Sequence, residues 1–307
     1  MKNIALIFPG QGAQKVGMGR EFYEADPAAR TVFEKAGQVL GEDISKVVFE
    51  GPGDKLISTA YCQPAIFTMS MAALAAFRAS DKSKNVSIKY TAGLSLGEYS
   101  AMCAAGVVSF ADSLRLIQKR GAFMEEAVRA NPGRMAAIIG FDKDKLVGIC
   151  KMAGCEIANF NAPDQIIITG KIDAVTKACQ LITEEGGKKV IPLDVGGAFH
   201  SSLMRSAADK FAESLKGVEF KVTDVKVIAN VTAKPQPSAE EIRQNLPRQI
   251  YSSVQWVDSV NFMSSQGITD LVEIGPGRVL KGLIRKIDPA LNVHNIQVPD
   301  DIAALPF

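Results

Sequence analysis

The pentapeptide Gly93-Leu94-Ser95-Leu96-Gly97 is where residue type and spacing point most directly to chemistry. A G-x-S-x-G run between a buried strand and a helix is a nucleophile elbow. Glycines at its ends permit a turn too tight for a β-carbon, and the serine hydroxyl is left exposed on strained backbone. The following helix aims free N–H groups and its positive end at the place where an oxyanion would form. The bland alternative is a Gly/Ser turn capping a helix, since serine is also a good N-cap. A serine nucleophile needs a base, and the chain has two histidines. His200, in Gly196-Gly197-Ala198-Phe199-His200-Ser201, is the preferred base because it falls at a seam in the chain's organisation. His294, with Asp270 or Glu273 as the acid, is the rival that a Ser, Asp, His chain order would favour.

Two further segments bear on this chemistry. The loop Pro9-Gly10-Gln11-Gly12-Ala13-Gln14 invites a nucleotide reading, but Lys15 stands where G-x-G-x-x-G requires glycine. The Gly12 to Gly17 spacing is followed by Met18 instead of a phosphate-loop lysine. What remains is a strand-to-helix loop with exposed amides, able to lend an N–H to an oxyanion hole. Arg120 lies four residues before Met124 at the edge of an apolar helix stripe, where its guanidinium could grip a carboxylate with two parallel bonds. The alternative is an arginine whose stem covers the stripe while its head reaches solvent.

The elements that must position these residues can be read coarsely. Ile4 to Phe8 is a short buried strand, and Ile88 to Gly93 a second one leading into the elbow and a helix to about Ala105. Asp26-Pro27 opens a helix with a cap and a first-turn proline, and Gln63-Pro64 is expected to open another in the same way. Ser109 to Ala130 reads as a long amphipathic helix with Phe110, Leu114, Ile117, Gly121, Met124 and Val128 on one face. After Asn131-Pro132-Gly133 the pattern becomes βαββαβ for about 65 residues, the ferredoxin-like unit. From His200 an α/β pattern resumes, with strands expected at Val225 to Val231, Thr269 to Ile274 and near Val293. The expected architecture is a large α/β domain with a central parallel sheet (1–130 and 198–307), interrupted by a ferredoxin-like subdomain (131–197). A cleft between the two is the default site.

Composition sets the outer limits. The chain has 307 residues, 35 basic against 33 acidic side chains, and 47% hydrophobic content. Disorder, collagen and coiled coil are excluded, and no basic run offers a footprint for nucleic acid. Two separated histidines allow neither HExxH nor a Cys/His finger, so no metal is expected. Cys62, Cys103, Cys150, Cys155 and Cys179 are odd in number and form no CxxC pair; they read as buried thiols of a reducing compartment. The longest apolar run, Ala65 to Phe77, falls short of a membrane span and reads as a core helix. Met1-Lys2-Asn3 running directly into the strand-like Ile4 to Phe8 reads as neither a signal nor a transit peptide, and the expected location is the cytoplasm.

Six segments occur together in order: Phe8-Pro9-Gly10-Gln11-Gly12-Ala13-Gln14, Gln63-Pro64-Ala65, Gly93-Leu94-Ser95-Leu96-Gly97-Glu98, Gln118-Lys119-Arg120-Gly121, Ala198-Phe199-His200-Ser201 and Glu273-Ile274-Gly275-Pro276-Gly277. By these the chain resembles the malonyl-CoA:acyl carrier protein transacylases of type II fatty acid synthesis and the acyltransferase domains of polyketide synthases, from residue 3 to about residue 285. The resemblance implies a hydrolase-like α/β core and ping-pong malonyl transfer through an ester on Ser95, with His200 as base and acid. It implies an oxyanion hole from the amides of Gln11 and Leu96, and Arg120 as the holder of the malonyl carboxylate. Gln63, Met124 and Asn161 would line the pocket, and Gln249 would orient His200 in place of a triad acid. Phe199 belongs to the malonyl-type Ala-Phe-His segment. Many members have His where this chain has Leu94. The implied partners are malonyl-CoA and acyl carrier protein, with coenzyme A and phosphopantetheine as acyl carriers and no permanently bound cofactor. A monomer without nucleic-acid or membrane association is expected, and Lys188-Lys189 is a candidate contact for an acidic carrier. The rivals are a serine hydrolase using Ser95 with His294, and a catalytically silent partner-binding module. A patatin-like lipase would need an Asp-Gly dipeptide, which the chain lacks.

Overall fold

The computed structural model describes residues 1–307. Its strands, in chain order, are β1 (Lys2–Phe8), β2 (Val86–Gly93), β3 (Gly133–Ile139), β4 (Glu156–Ala162), β5 (Gln165–Lys171), β6 (Lys189–Pro192), β7 (Lys226–Val227), β8 (Asp270–Ile274) and β9 (Asn292–Ile296). Five form a parallel sheet in the order β7-β2-β1-β8-β9, and four an antiparallel sheet in the order β4-β5-β3-β6. The second sheet, with its helices Lys143–Ala153 and Ile172–Glu184, has the ferredoxin-like connection.

Period-two alternation places each strand between two layers. In β1, Ile4, Leu6 and Phe8 face one apolar cluster while Ala5 and Ile7 face another across the sheet. At about 1.5–3 kcal/mol for each large apolar side chain removed from water, a strand buried on both faces anchors the sheet. In the small sheet Ala136, Ile138, Ile166 and Ile168 pack under its helices, whereas Met135, Ala137 and Ile167 point toward the large domain. The small sheet is tied down by main-chain bonds between Val254 and both Ala158 and Phe160, and by Glu156, which accepts from the Ser202 amide and hydroxyl.

Two expectations are corrected. Gln63-Pro64 does not open a helix: the helix runs Thr59–Ala79 with Pro64 inside it. The earlier turn is possible because the Ala60 N–H, one of the orphan donors at a helix start, donates to Glu125 at 2.9 Å on the neighbouring Phe110–Ala130 helix. That cap comes from a residue distant in sequence. This helix is also long and apolar enough to cross a membrane by length and composition, but 83% of its most apolar window is buried in the core. The strand expected at Val225 to Val231 is reduced to β7, because the chain turns away after Ile228 so that Asn230 can bond the elbow region. The Asp26-Pro27 start stands, with Asp26 accepting from the amides of Ala28 and Ala29. All five cysteines are free; Cys62, Cys150 and Cys155 are buried, while Cys103 and Cys179 are half-buried.

A β-carbon at Gly97 would collide with the Phe8 carbonyl at the end of β1. Gly97→Ala is therefore expected to cost more than the about 1 kcal/mol typical of a point substitution, seen as a Tm lowered by several degrees. An unchanged Tm would show that β1 and the elbow helix are free to separate.

Candidate active site

Backbone on both sides forces Ser95 into position. Besides the Gly97 contact, a β-carbon on Gly93 would strike the Gly97 backbone, so the elbow tolerates no side chain at either end, and its centre is fixed between them. There Ser95 takes φ 54°, a left-handed conformation costing a non-glycine residue about 1–2 kcal/mol. Asn230 holds the turn: its Oδ1 accepts the Ser95 N–H at 2.6 Å and its Nδ2 donates to the Gly93 carbonyl at 2.6 Å.

His200 reaches the nucleophile from the loop returning from the small sheet, also in a left-handed conformation at φ 58°. Its Nε2 lies 2.8 Å from Ser95 Oγ, and its Nδ1 lies 2.8 Å from the Gln249 carbonyl and 3.2 Å from that of Ser252. Carbonyls only accept, so the ring proton belongs on Nδ1 and Nε2 is left to accept from serine. The backbone of Gln249 orients His200, together with Ser252; the Gln249 side chain turns elsewhere, and no carboxylate stands behind the imidazole. Burial, and secondarily the Arg120 charge, push the His200 pKa down to about 4 despite the two carbonyls. The imidazole is neutral at any pH near 7.

Arg120 does not reach solvent. It has no accessible surface, which removes the reading of an arginine covering an apolar stripe. Nη1 donates to Gln63 Oε1 at 2.7 Å, and Nη2 donates to Gln249 Oε1 at 3.0 Å and to Ser95 Oγ at 3.1 Å. All three acceptors are neutral. A buried cation without an anion in contact is costly, and this one sits one hydrogen bond from the nucleophile.

A cavity of ≈ 560 Å³ opens between the two sheets' domains, with Ser95 and His200 in its wall beside Gln11, Gln63, Leu94, Leu96, Met124, Asn161 and Phe199. Gln63 Nε2 lies 3.9 Å from Met124 Sδ, and Asn161 Oδ1 is buried with no partner. The small-sheet residues Met135, Ala137 and Ile167 form the facing wall. The amides of Gln11 and Leu96, from the loops that follow β1 and β2, donate to no acceptor of the protein. Two parallel neighbours thus deliver two free donors at their carboxyl ends, beside the hydroxyl. Arg120 and Gln249 lie behind this wall.

The structure does not bring His294 to Ser95. His294 sits on β9, its Nε2 3.1 Å from Asp270 Oδ1 and its ring edge-on to Phe307. Glu273 accepts from the amides of Leu280 and Lys281, capping the Val279–Ile287 helix. Sequence reading missed Asn230, Ser252 and Glu98. Glu98 had a signal, since a carboxylate directly after the elbow must lie in the packed first turn of the helix; Asn230 and Ser252 had none.

A model of the acyl transferase domain family matches residues 5–294. The malonyl CoA-acyl carrier protein transacylase of Bacillus subtilis strain 168 is 42% identical over 307 residues, covering 98% of this chain and 96% of the relative. The Escherichia coli K12 protein of the same name is 39% identical over 308 residues, with 99% of each covered. Among solved structures, an acyl-carrier-protein-S-malonyltransferase from Bartonella henselae superposes with a TM-score of 0.94 at 39% identity, over 99% of this chain and 98% of that one. A malonyl-transacylase solved in complex with its type II PKS acyl-carrier protein does so with a TM-score of 0.94 at 38% identity, over 99% and 98%.

Capture of Ser95 by an organophosphonate needs the serine and its base. Its rate is expected to hold level down to about pH 5 and to fall as His200 protonates near 4. In Arg120→Ala, which removes the neighbouring cation, the acid limb should move up toward the ordinary histidine value of 6.5. A limb that stays in place would show that the Arg120 charge does not act on His200.

Proposed function

This chain belongs to the acyl transferase family and, within it, to the malonyl CoA-acyl carrier protein transacylases, and from that premise we propose how its residues move malonyl from malonyl-CoA to acyl carrier protein. His200 Nε2 takes the Ser95 proton as Oγ attacks the thioester carbonyl, and the oxyanion settles on the amides of Gln11 and Leu96. As the carbon–sulfur bond breaks, His200 returns the proton to coenzyme A, leaving malonyl as an ester on Ser95. The phosphopantetheine thiol of the carrier then gives its proton to His200 and attacks the ester, and the proton goes back to Ser95. Each oxyanion donor is worth on the order of 10² to 10³ in rate, and the proton transfers about 10² to 10⁴. The chain's residues supply this chemistry without a permanently bound cofactor.

The observation that carries this reading is Arg120. The ester oxygen lies 3.1 Å from Nη2 before substrate arrives. Malonyl places its carboxylate close to its ester carbonyl, so turning the guanidinium from Ser95 Oγ to that carboxylate gives the buried cation its missing anion. Acetyl offers none. We further infer a cytoplasmic monomer, with the exposed pair Lys188-Lys189 at the start of β6 as one contact for an acidic carrier.

Arg120→Ala is expected to lower malonyl transfer about 10- to 150-fold, equivalent to about 1.5–3 kcal/mol for a charge-assisted bond, while acetyl transfer holds or improves. Equal loss of both would remove the carboxylate role. Intact-mass measurement should show a malonyl adduct that vanishes on adding holo acyl carrier protein. That adduct should be absent in His200→Ala and present in His294→Ala; the reverse pattern would move the base to His294.

A further inference from the structure

Glu98 is a carboxylate that the transfer steps above do not use. It lies in the first turn of the Gly97–Ala104 helix, 1% exposed, and makes no salt bridge. Every oxygen partner is an uncharged donor. Oε2 accepts from the Asn230 amide at 3.1 Å and from Gln249 Nε2 at 2.7 Å, and Oε1 accepts from Gln236 Nε2 at 3.0 Å. The other end of the Gln249 amide, Oε1, accepts from Arg120, and its Nε2 also donates to the Ser95 carbonyl at 3.0 Å. A single primary amide therefore separates a buried carboxylate from a buried guanidinium and touches the nucleophile's own backbone.

The charges facing Glu98 are few. Arg120 approaches from the Phe110–Ala130 helix, Tyr99 adjoins it on its own helix, and the Ala239–Tyr251 helix contributes only amides at contact. Beyond them runs a chain from Gln236 through Asn245 to the exposed Arg248. His200 lies beyond Ser95. In the free enzyme an ionised Glu98 balances Arg120 at one remove. A substrate carboxylate docked on Arg120 would place two anions around one buried cation, and in a medium of low dielectric one of them must be neutralised.

We propose that Glu98 is a positioning residue whose protonation is exchanged for the substrate's charge: it balances Arg120 through Gln249 in the free enzyme, and takes one proton from solvent when an acyl carboxylate docks there. The inference rests on malonyl transfer as read above. Burial already pushes the Glu98 pKa up to about 7, against the lowering effects of Gln249, Asn230 and Arg120, so the exchange falls in the working range. Once protonated, Glu98 must donate one bond. Gln236 can accept it by turning its amide over, and Asn245 can follow by turning its own. Neutralising Glu98 leaves Arg120 free of competition for the acyl carboxylate, which links affinity to pH.

Acylation of serine by a thioester is proton-neutral overall, apart from ionisation of released coenzyme A, which is the same for every acyl group. With the wild-type enzyme and a pH-indicator dye above neutral pH, acylation by malonyl-CoA should take up more protons than acylation by acetyl-CoA, by a difference approaching one per site as pH rises. The KM for malonyl-CoA should rise with pH above neutrality with a limiting slope of about tenfold per unit, while the KM for acetyl-CoA stays level. In E98Q, a mimic of the protonated state, both the difference and the slope should disappear. Equal proton counts for the two acyl groups in the wild type overturn the proposal, as does uptake that persists in E98Q. The wild-type comparison decides alone if E98Q does not fold. Absence of a malonyl adduct would instead overturn the transferase reading, so the two failures are distinct.

Discussion

A guanidinium with no accessible surface is the constraint around which the large domain is arranged. Burying the Arg120 charge without a contacting anion would be prohibitive unless its terminal nitrogens were met, and both Nη1 and Nη2 are met by side chains from separate elements. Gln63 comes from the Thr59–Ala79 helix, Gln249 from the Ala239–Tyr251 helix, and the Ser95 hydroxyl from the elbow. The face of Tyr99, 5.5 Å away, adds a cation–π contact. Nε remains without a partner. The buried Gln63 of the Thr59–Ala79 helix is explained by this demand, and so is a glutamine, not a second arginine or lysine, at position 249. The site is built short of one negative charge within contact range.

The catalytic geometry follows from how tightly β1, β2 and the elbow helix are pressed together. Phe8 is paired with Gly93, and the Leu94 amide bonds the Phe8 carbonyl, so the loops after both strands emerge side by side. A serine in left-handed backbone is retained only because Asn230 and the glycine contacts hold the turn from both ends. The small sheet supplies the other wall and, through the strained loop at its exit, delivers His200. The two main-chain carbonyls behind the imidazole select its tautomer without adding a buried negative charge that would raise its pKa.

Much of this could be read from residue order. The elbow, the ferredoxin-like alternation, the Asp26-Pro27 cap and the long amphipathic helix are local patterns with periods or spacings of a few residues, and the parallel and antiparallel sheets appear where those patterns place them. The errors share a different character. The start of the Thr59–Ala79 helix depends on Glu125 reaching Ala60 across 65 positions, and β7 stops early because Asn230 is required at the elbow. Neither dependence leaves a mark near the residues it affects.

Residue order alone shows which groups are available: one elbow serine, two histidines, two loops with exposed amides, and an arginine at the edge of an apolar stripe. Tertiary structure decided among them. It put His200 against Ser95 and gave His294 to Asp270. It turned the Gln249 backbone toward the base and its side chain toward Arg120 and Glu98, and it buried Arg120 away from water. These outcomes depend on contacts between segments far apart in the chain, and a buried charge acquires its chemistry from whatever neighbours packing brings within a few ångströms.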